Sequence, residues 1–268
     1  MYKTILSAIL FFISLHGFGQ AKKKRITGMY VQWGYNREWY TNSSIHFKLD
    51  NGSDFILHHV RAKDKPDFDA IYESPLEISI PQYNYRIGFY LNENQTRSLE
   101  LNFDHAKYVA NDFQKVHVTG TINGVLVDGD SILDPNRFLH LEHTDGANWM
   151  HLNYVQQRTI KARTDHTTPL FRLIGKIGAG INIPRTDFTW KGDRLNNQFH
   201  IAGYNISLEG GARYYFSKKF FLEGTGKTGY VRYVNALANT HQFKNSRVSH
   251  GFGYFEFIAL IGYDIQFR

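Results

Sequence analysis

Apolar residues fall at every second position through several long stretches of the chain. In residues 251–267, Phe255, Phe257, Ala259, Ile261, Tyr263, Ile265 and Phe267 share one parity, and Glu256, Gly262, Asp264 and Gln266 share the other with Ile258 and Leu260. Successive side chains of a strand point to opposite faces, so this is a strand with one apolar face and one largely polar face. Three preceding segments repeat the rhythm: Phe171, Leu173, Ile177, Ala179 and Ile181; then Ala202, Tyr204, Ile206, Leu208, Ala212 and Tyr214; then Phe220, Leu222 and Tyr230. Earlier strands are expected over residues 26–35, 45–49, 55–62, 83–91, 99–104 and 138–155, the last with a bulge near Gly146 to absorb a change of apolar parity.

Turn chemistry divides these strands into two kinds of connection. Asp50 to Ser53, Asn92 to Gln95, Thr159 to Thr168 and Ser217 to Lys219 read as short turns, whereas residues 63–80, 111–136, 184–198 and 235–247 are long. Inside 111–136, two apolar runs flank Asn123-Gly124, which predicts a β-arm carried by the loop. Short turns at one end and long loops at the other imply an all-β, transmembrane, antiparallel up-and-down barrel of about ten strands with long extracellular loops.

The start of the chain sharpens that reading. Lys3 precedes an apolar run from Ile5 to Leu15, then Gly17-Phe18-Gly19, the layout of a cleavable signal peptide over residues 1–20, leaving 21–268 as one barrel domain. No stretch approaches the about 20 continuous apolar residues of a membrane-crossing helix, so membrane residence would be through strands. The 268 residues contain no cysteine, which excludes a disulfide scaffold, a thiolate metal site and a cysteine nucleophile. The formal charge of +7 becomes +6 (30 basic minus 24 acidic) without Lys3, a weak signal for nucleic acid.

With its signal layout, alternating aromatic strands and near-terminal Phe267, the chain resembles the small outer-membrane β-barrels of Gram-negative bacteria, although Arg268 follows the aromatic residue on which such chains usually end. The resemblance implies a monomer in the outer membrane, in contact with lipids including lipopolysaccharide, and delivered to the barrel assembly machinery through the strand ending at Phe267. It implies no nucleic acid partner and no cofactor.

Candidate chemistry follows from the polar parity. Arg86, Arg172, Lys176, Arg213 and Lys227 should share the lumen with Glu100, Glu209, Glu223, Glu256 and Asp264, and Lys48, Asp104 and Glu142 are placed on the same face. Charges of both signs in a narrow tube should pair, because an unpaired buried charge costs several kcal/mol. This favours a plugged barrel with a structural or surface-binding role over a narrow channel. A second cluster, Asp104, His105, His140, Glu142, His143 and Asp145, would sit at the outer rim, where carboxylate and imidazole could activate water in an outer-membrane hydrolase. Asp104-His105 is similar to the Asp-His pair of omptin-type proteases only as a dipeptide, and no adjacent pair of aspartates accompanies it. A lipid A-modifying enzyme would need a serine beside a histidine, for which Ser207 and Ser249-His250 are candidates. No metal is expected, because His140 and Glu142 share a strand face that His143 does not.

Overall fold

The computed structural model describes residues 26–67, 69, 82–164 and 168–267. The signal-peptide segment, residues 21–25, much of the long connection 63–80 and Arg268 lie outside the described residues. In chain order the strands are β1 Gly28–Tyr40, β2 Ser43–Lys48, β3 Asp54–Val60, β4 Ala62–Lys63, β5 Tyr83–Tyr90, β6 Arg97–Asp104, β7 Tyr108–Ala110, β8 Lys115–Ile122, β9 Val125–Ile132, β10 Leu139–His143, β11 Trp149–Ala162, β12 Pro169–Asn182, β13 Asp187–Trp190, β14 Asp193–Asn196, β15 Gly203–Tyr215, β16 Phe220–Leu237 and β17 Arg247–Gln266.

Eight of these close a barrel in sequential order, β1-β5-β6-β11-β12-β15-β16-β17, and β1 pairs with β17 from Gly28↔Gln266 to Tyr40↔Tyr254 to seal it. Every pairing is antiparallel. The expected count of about ten is therefore corrected to eight. The two surplus strands, β2 and β3, are real strands but lie outside the ring, so the turn at Asp50 to Ser53 belongs to the long-loop end.

Along each barrel strand, side chains alternate between an apolar exterior and a polar interior. Leu173, Ile177, Ile206, Leu208, Phe257 and Ile261 are all exposed on the outside. Aromatic residues bound this apolar band. Phe171 lies against Tyr214 and Phe220 against Tyr263 towards the chain ends, while Tyr204, Tyr230 and the Trp39–Phe255 pair mark the opposite level. Ten residue steps separate Tyr204 from Tyr214, which at about 3.3 Å per residue and about 40° of tilt spans about 25 Å along the barrel axis, the height of a bilayer core. The interior is so tight that Gly88 must lack a side chain, because a Cβ there would overlap the Tyr30 ring.

The long loops fold into a second structure on the barrel. The start of β17 pairs with β2 (His250↔Ile45 to Arg247↔Lys48), and the sheet continues outward through β3, β8 and β9. Asn123 and Gly124, both with positive φ, turn β8 into β9. A separate five-stranded sheet, in the order β14-β13-β10-β7-β4, packs across it. Phe47 and Phe55 of the first sheet meet Phe188 and Trp190 of the second at ring distances of 5.6 and 5.7 Å. The expected single strand over 138–155 is thus two strands in two sheets: residues 144–148 leave β10 for β11, with Gly146 at φ 122°. The stretch 184–198, expected as loop, contains the whole β13–β14 hairpin. These two sheets make a cap whose apolar core runs down into the barrel mouth through Trp149, Tyr233, Phe252 and Tyr254.

Candidate functional site: a charged lumen beneath an aromatic plug

Alternation in the barrel strands delivers one polar side chain inward at every second residue. Eight strands enclose an interior only wide enough for side chains to fill. Nearest the chain ends, Asp264 accepts hydrogen bonds from the hydroxyls of Tyr90 (2.7 Å) and Tyr215 (2.9 Å). Arg213 lies over the Phe221 ring at 3.9 Å and pairs with Glu223 at 2.8 Å. Glu223 is shared with Lys176 at 2.8 Å, and Lys176 also reaches Glu100 at 3.1 Å and Glu209 at 3.3 Å. Arg86 closes this middle layer on Glu209 at 2.6 Å. One level higher, Lys227 bridges Asp104 and Glu256, the latter at 3.2 Å, and Asn36 donates to Glu256 at 2.8 Å. All of these charged side chains are buried, and each carboxylate meets a cation, an amide or a phenol.

Above Lys227 the same inward parity turns aromatic. On β16 and β17 it reads Val231 and Tyr233, and Tyr254, Phe252 and His250. Trp149 lies 4.6 Å from the Tyr254 ring and donates its indole N–H to Tyr233 at 3.0 Å. The lumen thus carries charge below and aromatic packing above.

The six rim candidates are separated into different environments. Asp104 faces the lumen, between Lys227 and His151. His105 stacks on Tyr83 at 4.6 Å and bonds Asn148. His140 and Glu142 do meet, at 3.4 Å, and His140 also bonds Asp112 at 2.6 Å. Burial alone would lower His140 and raise Glu142. Their mutual contact outweighs it, so His140 titrates above its ordinary range and Glu142 is held down to about 2. His143 turns to the opposite face, where it is fully buried between Thr186 and His250 (3.2 Å between the Nε2 atoms); that burial pushes it down to about 3. Asp145 pairs with Arg185 at 3.0 Å. The expectation of one joint rim cluster is corrected accordingly: strand parity sends Asp104 and His143 away from His140 and Glu142. Lys48, expected inside, is exposed on the cap beside Asp54, and Glu142 is likewise on the cap. Among the described residues no group of three or more acidic or imidazole side chains is arranged to hold a metal ion.

One constellation involves a residue whose role the sequence does not announce. His151 accepts or donates to Ser207 at 3.4 Å through Nδ1, and its Nε2 lies 3.4 Å from Asp104. The order Ser-His-Asp is that of a hydrolase relay. Here Lys227 sits on both Asp104 and His151 (3.3 Å to the imidazole), and His151 is fully buried in the lumen, so the carboxylate is shared with a buried ammonium rather than reserved for the imidazole. Strand parity puts His151 on the inner face of β11, but its partners come from other strands and become visible only with the register. Ser249, the other serine considered, is not joined to His250 by a side-chain bond; His250 bonds Ser43 instead at 3.4 Å.

A closed up-and-down barrel with an apolar exterior and a polar interior is a transmembrane β-barrel of the outer-membrane class. No protein-family model and no curated protein sequence matches the chain. Solved structures do. The outer membrane protein OprG from Pseudomonas aeruginosa is 11% identical, over 91% of this chain and 98% of that one, with a TM-score of 0.44. The outer membrane protease OmpT from Escherichia coli is 10% identical, over 93% and 99%, with a TM-score of 0.35. Neisserial surface protein A is 9% identical, over 89% and 97%, with a TM-score of 0.34. The similarity is one of fold and transfers no residue roles.

Proposed function

We propose that this protein is a non-conducting barrel of the Gram-negative outer membrane that holds a folded, surface-exposed β-cap, and that the cap carries its role by binding. The observation behind this is the pair of fillings in one tube: the ion-paired layers from Asp264 to Glu256, and the aromatic plug of Trp149, Tyr233, Phe252 and Tyr254. A channel would keep its charges hydrated and its mouth open. On the cap, Val125 and Leu126 stand exposed at the tip of the β8–β9 hairpin, as a binding arm would present them. In this reading lipopolysaccharide and phospholipid cover the outer band, the assembly machinery engages β17 up to Phe267, and the barrel works as a monomer.

Planar-bilayer recording of the refolded chain tests the proposal. Steady single-channel steps in the parent protein would sink it. The hydrolase reading is tested with a lipid and peptide hydrolysis screen on the same preparation. Activity lost in Glu142→Gln or Asp104→Asn, with folding unchanged, would replace the binding role by catalysis.

A further inference from the structure

The buried cations of the lumen are not treated alike. Arg86, Lys176, Arg213 and Lys227 each have a carboxylate oxygen at 3.2 Å or less. Arg172 is as deeply buried, at 5% exposure, yet among the described residues only neutral acceptors serve it. Its Nη1 donates to the carbonyl of Gln95 at 3.2 Å and to Gln157 Oε1 at 3.5 Å. Among the described residues both of its hydrogen bonds run from Nη1, leaving Nε and Nη2 to face the mouth, and the buried amide nitrogen of Gln157 has no partner.

Arg172 lines a cavity of about 670 Å³ at the mouth on the chain-end side of the barrel. Lys218 and Lys219, from the exposed β15–β16 turn, line the same cavity. Two acids share the wall. Asp264 is already taken by two tyrosine hydroxyls, and Glu93 lies in the β5–β6 turn. The Tyr215 ring lies 5.5 Å from the guanidinium carbon. A planar guanidinium whose Nε–Nη2 edge is free of protein partners among the described residues, beside a turn that carries two lysines, is built to take an oxyanion through paired charge-assisted hydrogen bonds.

We propose that this mouth is a binding site for a phosphate-type oxyanion, centred on Arg172 with Lys218 and Lys219 as second contacts. The phosphate can arrive free in solution or on a lipid headgroup. The two sources call for two arms with one protein, the full chain refolded in phosphate-free maltoside micelles. In the first, inorganic phosphate is titrated by calorimetry. In the second, phosphatidylglycerol is added and lipid retention is read by native mass spectrometry.

Saturable one-to-one phosphate binding that weakens by about tenfold or more in Arg172→Gln supports the site. If only phosphate behaves so, the ligand is a free oxyanion; if one phosphatidylglycerol is retained by the parent and lost in the variant, it is a headgroup. Heat-modifiable migration in SDS establishes that the variant is folded. Should Arg172→Gln fail to refold, the exposed double variant Lys218→Ser/Lys219→Ser takes its place, with an expected weakening of about threefold to tenfold. No saturable binding of either probe by the parent, or binding unchanged in the folded variant, overturns the proposal.

Discussion

The barrel and the cap are built from the same kind of strand and turned inside out relative to each other. In the barrel, Leu208 and Ile177 face outward and Glu209 and Lys176 face inward; in the cap, Phe47 and Phe55 face inward and Lys48 and Asp54 face outward. What differs is the solvent. Lipid outside requires apolar side chains there, and leaves the interior to polar groups that satisfy one another. Water outside the cap reverses both demands. Strand β17 crosses the boundary within one face: Phe252 and Tyr254 belong to the apolar core, and Glu256, two residues on, belongs to the ion network.

The comparison breaks most severely if a lumen carboxylate can be removed cheaply. Glu223 holds Arg213 and Lys176 at 2.8 Å each and lies 3.6 Å from Arg86. Glu223→Ala should strand these cations in a dry interior and cost about 3–5 kcal/mol. Urea unfolding of the refolded protein in lipid vesicles measures it. A cost below about 1 kcal/mol would mean the inner charges are screened by water, and the tube is open.

In the cap the corresponding filler is apolar. Phe188 is fully buried, 5.6 Å from Phe47, and Phe188→Ala should cost the cap about 3 kcal/mol. The loss should be local. Proteolysis of the loops should accelerate while the barrel still resists SDS until heated, since the β1–β17 closure does not depend on Phe188. Loss of heat-modifiability would show that cap and barrel fold as one unit.

The inversion also explains what could be read from sequence and what could not. Period-two alternation identified β12, β15, β16 and β17 because their polar residues, such as Arg172, Glu209 and Lys227, fall on one parity for ten residues or more. It misassigned Ile45, Phe47 and Leu49 to the barrel, because alternation gives the two faces of a strand but not which face meets lipid. The break between β10 and β11 looks like a bulge in the sequence for the same reason: Leu139 and Leu141 point into a cap, Leu152 and Tyr154 into lipid, and the change of parity is a change of surroundings. Partners across strands lay beyond reach. Lys176 can be placed inside from its own segment, but its triple sharing by Glu100, Glu209 and Glu223 needs the registers of four strands. The histidines were hardest, since His143 and His250 meet only where the two sheets cross.

A matched pair of leucines sharpens the difference in solvent. Leu208 is 58% exposed midway between the aromatic levels, and Leu126 is 81% exposed at the cap hairpin. By exposure alone both are surface positions. Leu208→Arg should cost about 2–4 kcal/mol, the depth-dependent penalty for a cation in hydrocarbon. Leu126→Arg should stay within about 0.5 kcal/mol, as at an ordinary wetted surface. Equal effects at the two sites would remove the membrane from the account.

The mildest test is of pH, and it uses two histidines on one short strand of the cap. His143 is kept neutral by burial: it has Thr186 and His250 on its ring nitrogens, lies against the Tyr108 and Tyr233 rings, and has Glu142 as its nearest acid. Its folded value of about 3 lies below the about 6.5 of the unfolded chain, so the unfolded state binds the extra proton between those values. Its contribution is complete above about pH 6.5 and is lost as the pH falls, by about 1.4 kcal/mol per unit. His140 behaves oppositely. Asp112 and Glu142 raise its folded value above the unfolded one, so its contribution is complete below about pH 6.5 and fades as the pH rises through the raised value. The cap should therefore be most stable near pH 6.5. Amide exchange at Leu141 and Val109, corrected for intrinsic rates and followed from pH 5 to 8, should show that maximum. His143→Phe should flatten the acidic side and His140→Gln the basic side. An unaltered acidic limb in His143→Phe would assign the loss to His250 alone, and would place the proton on the barrel side of the boundary where the two architectures meet.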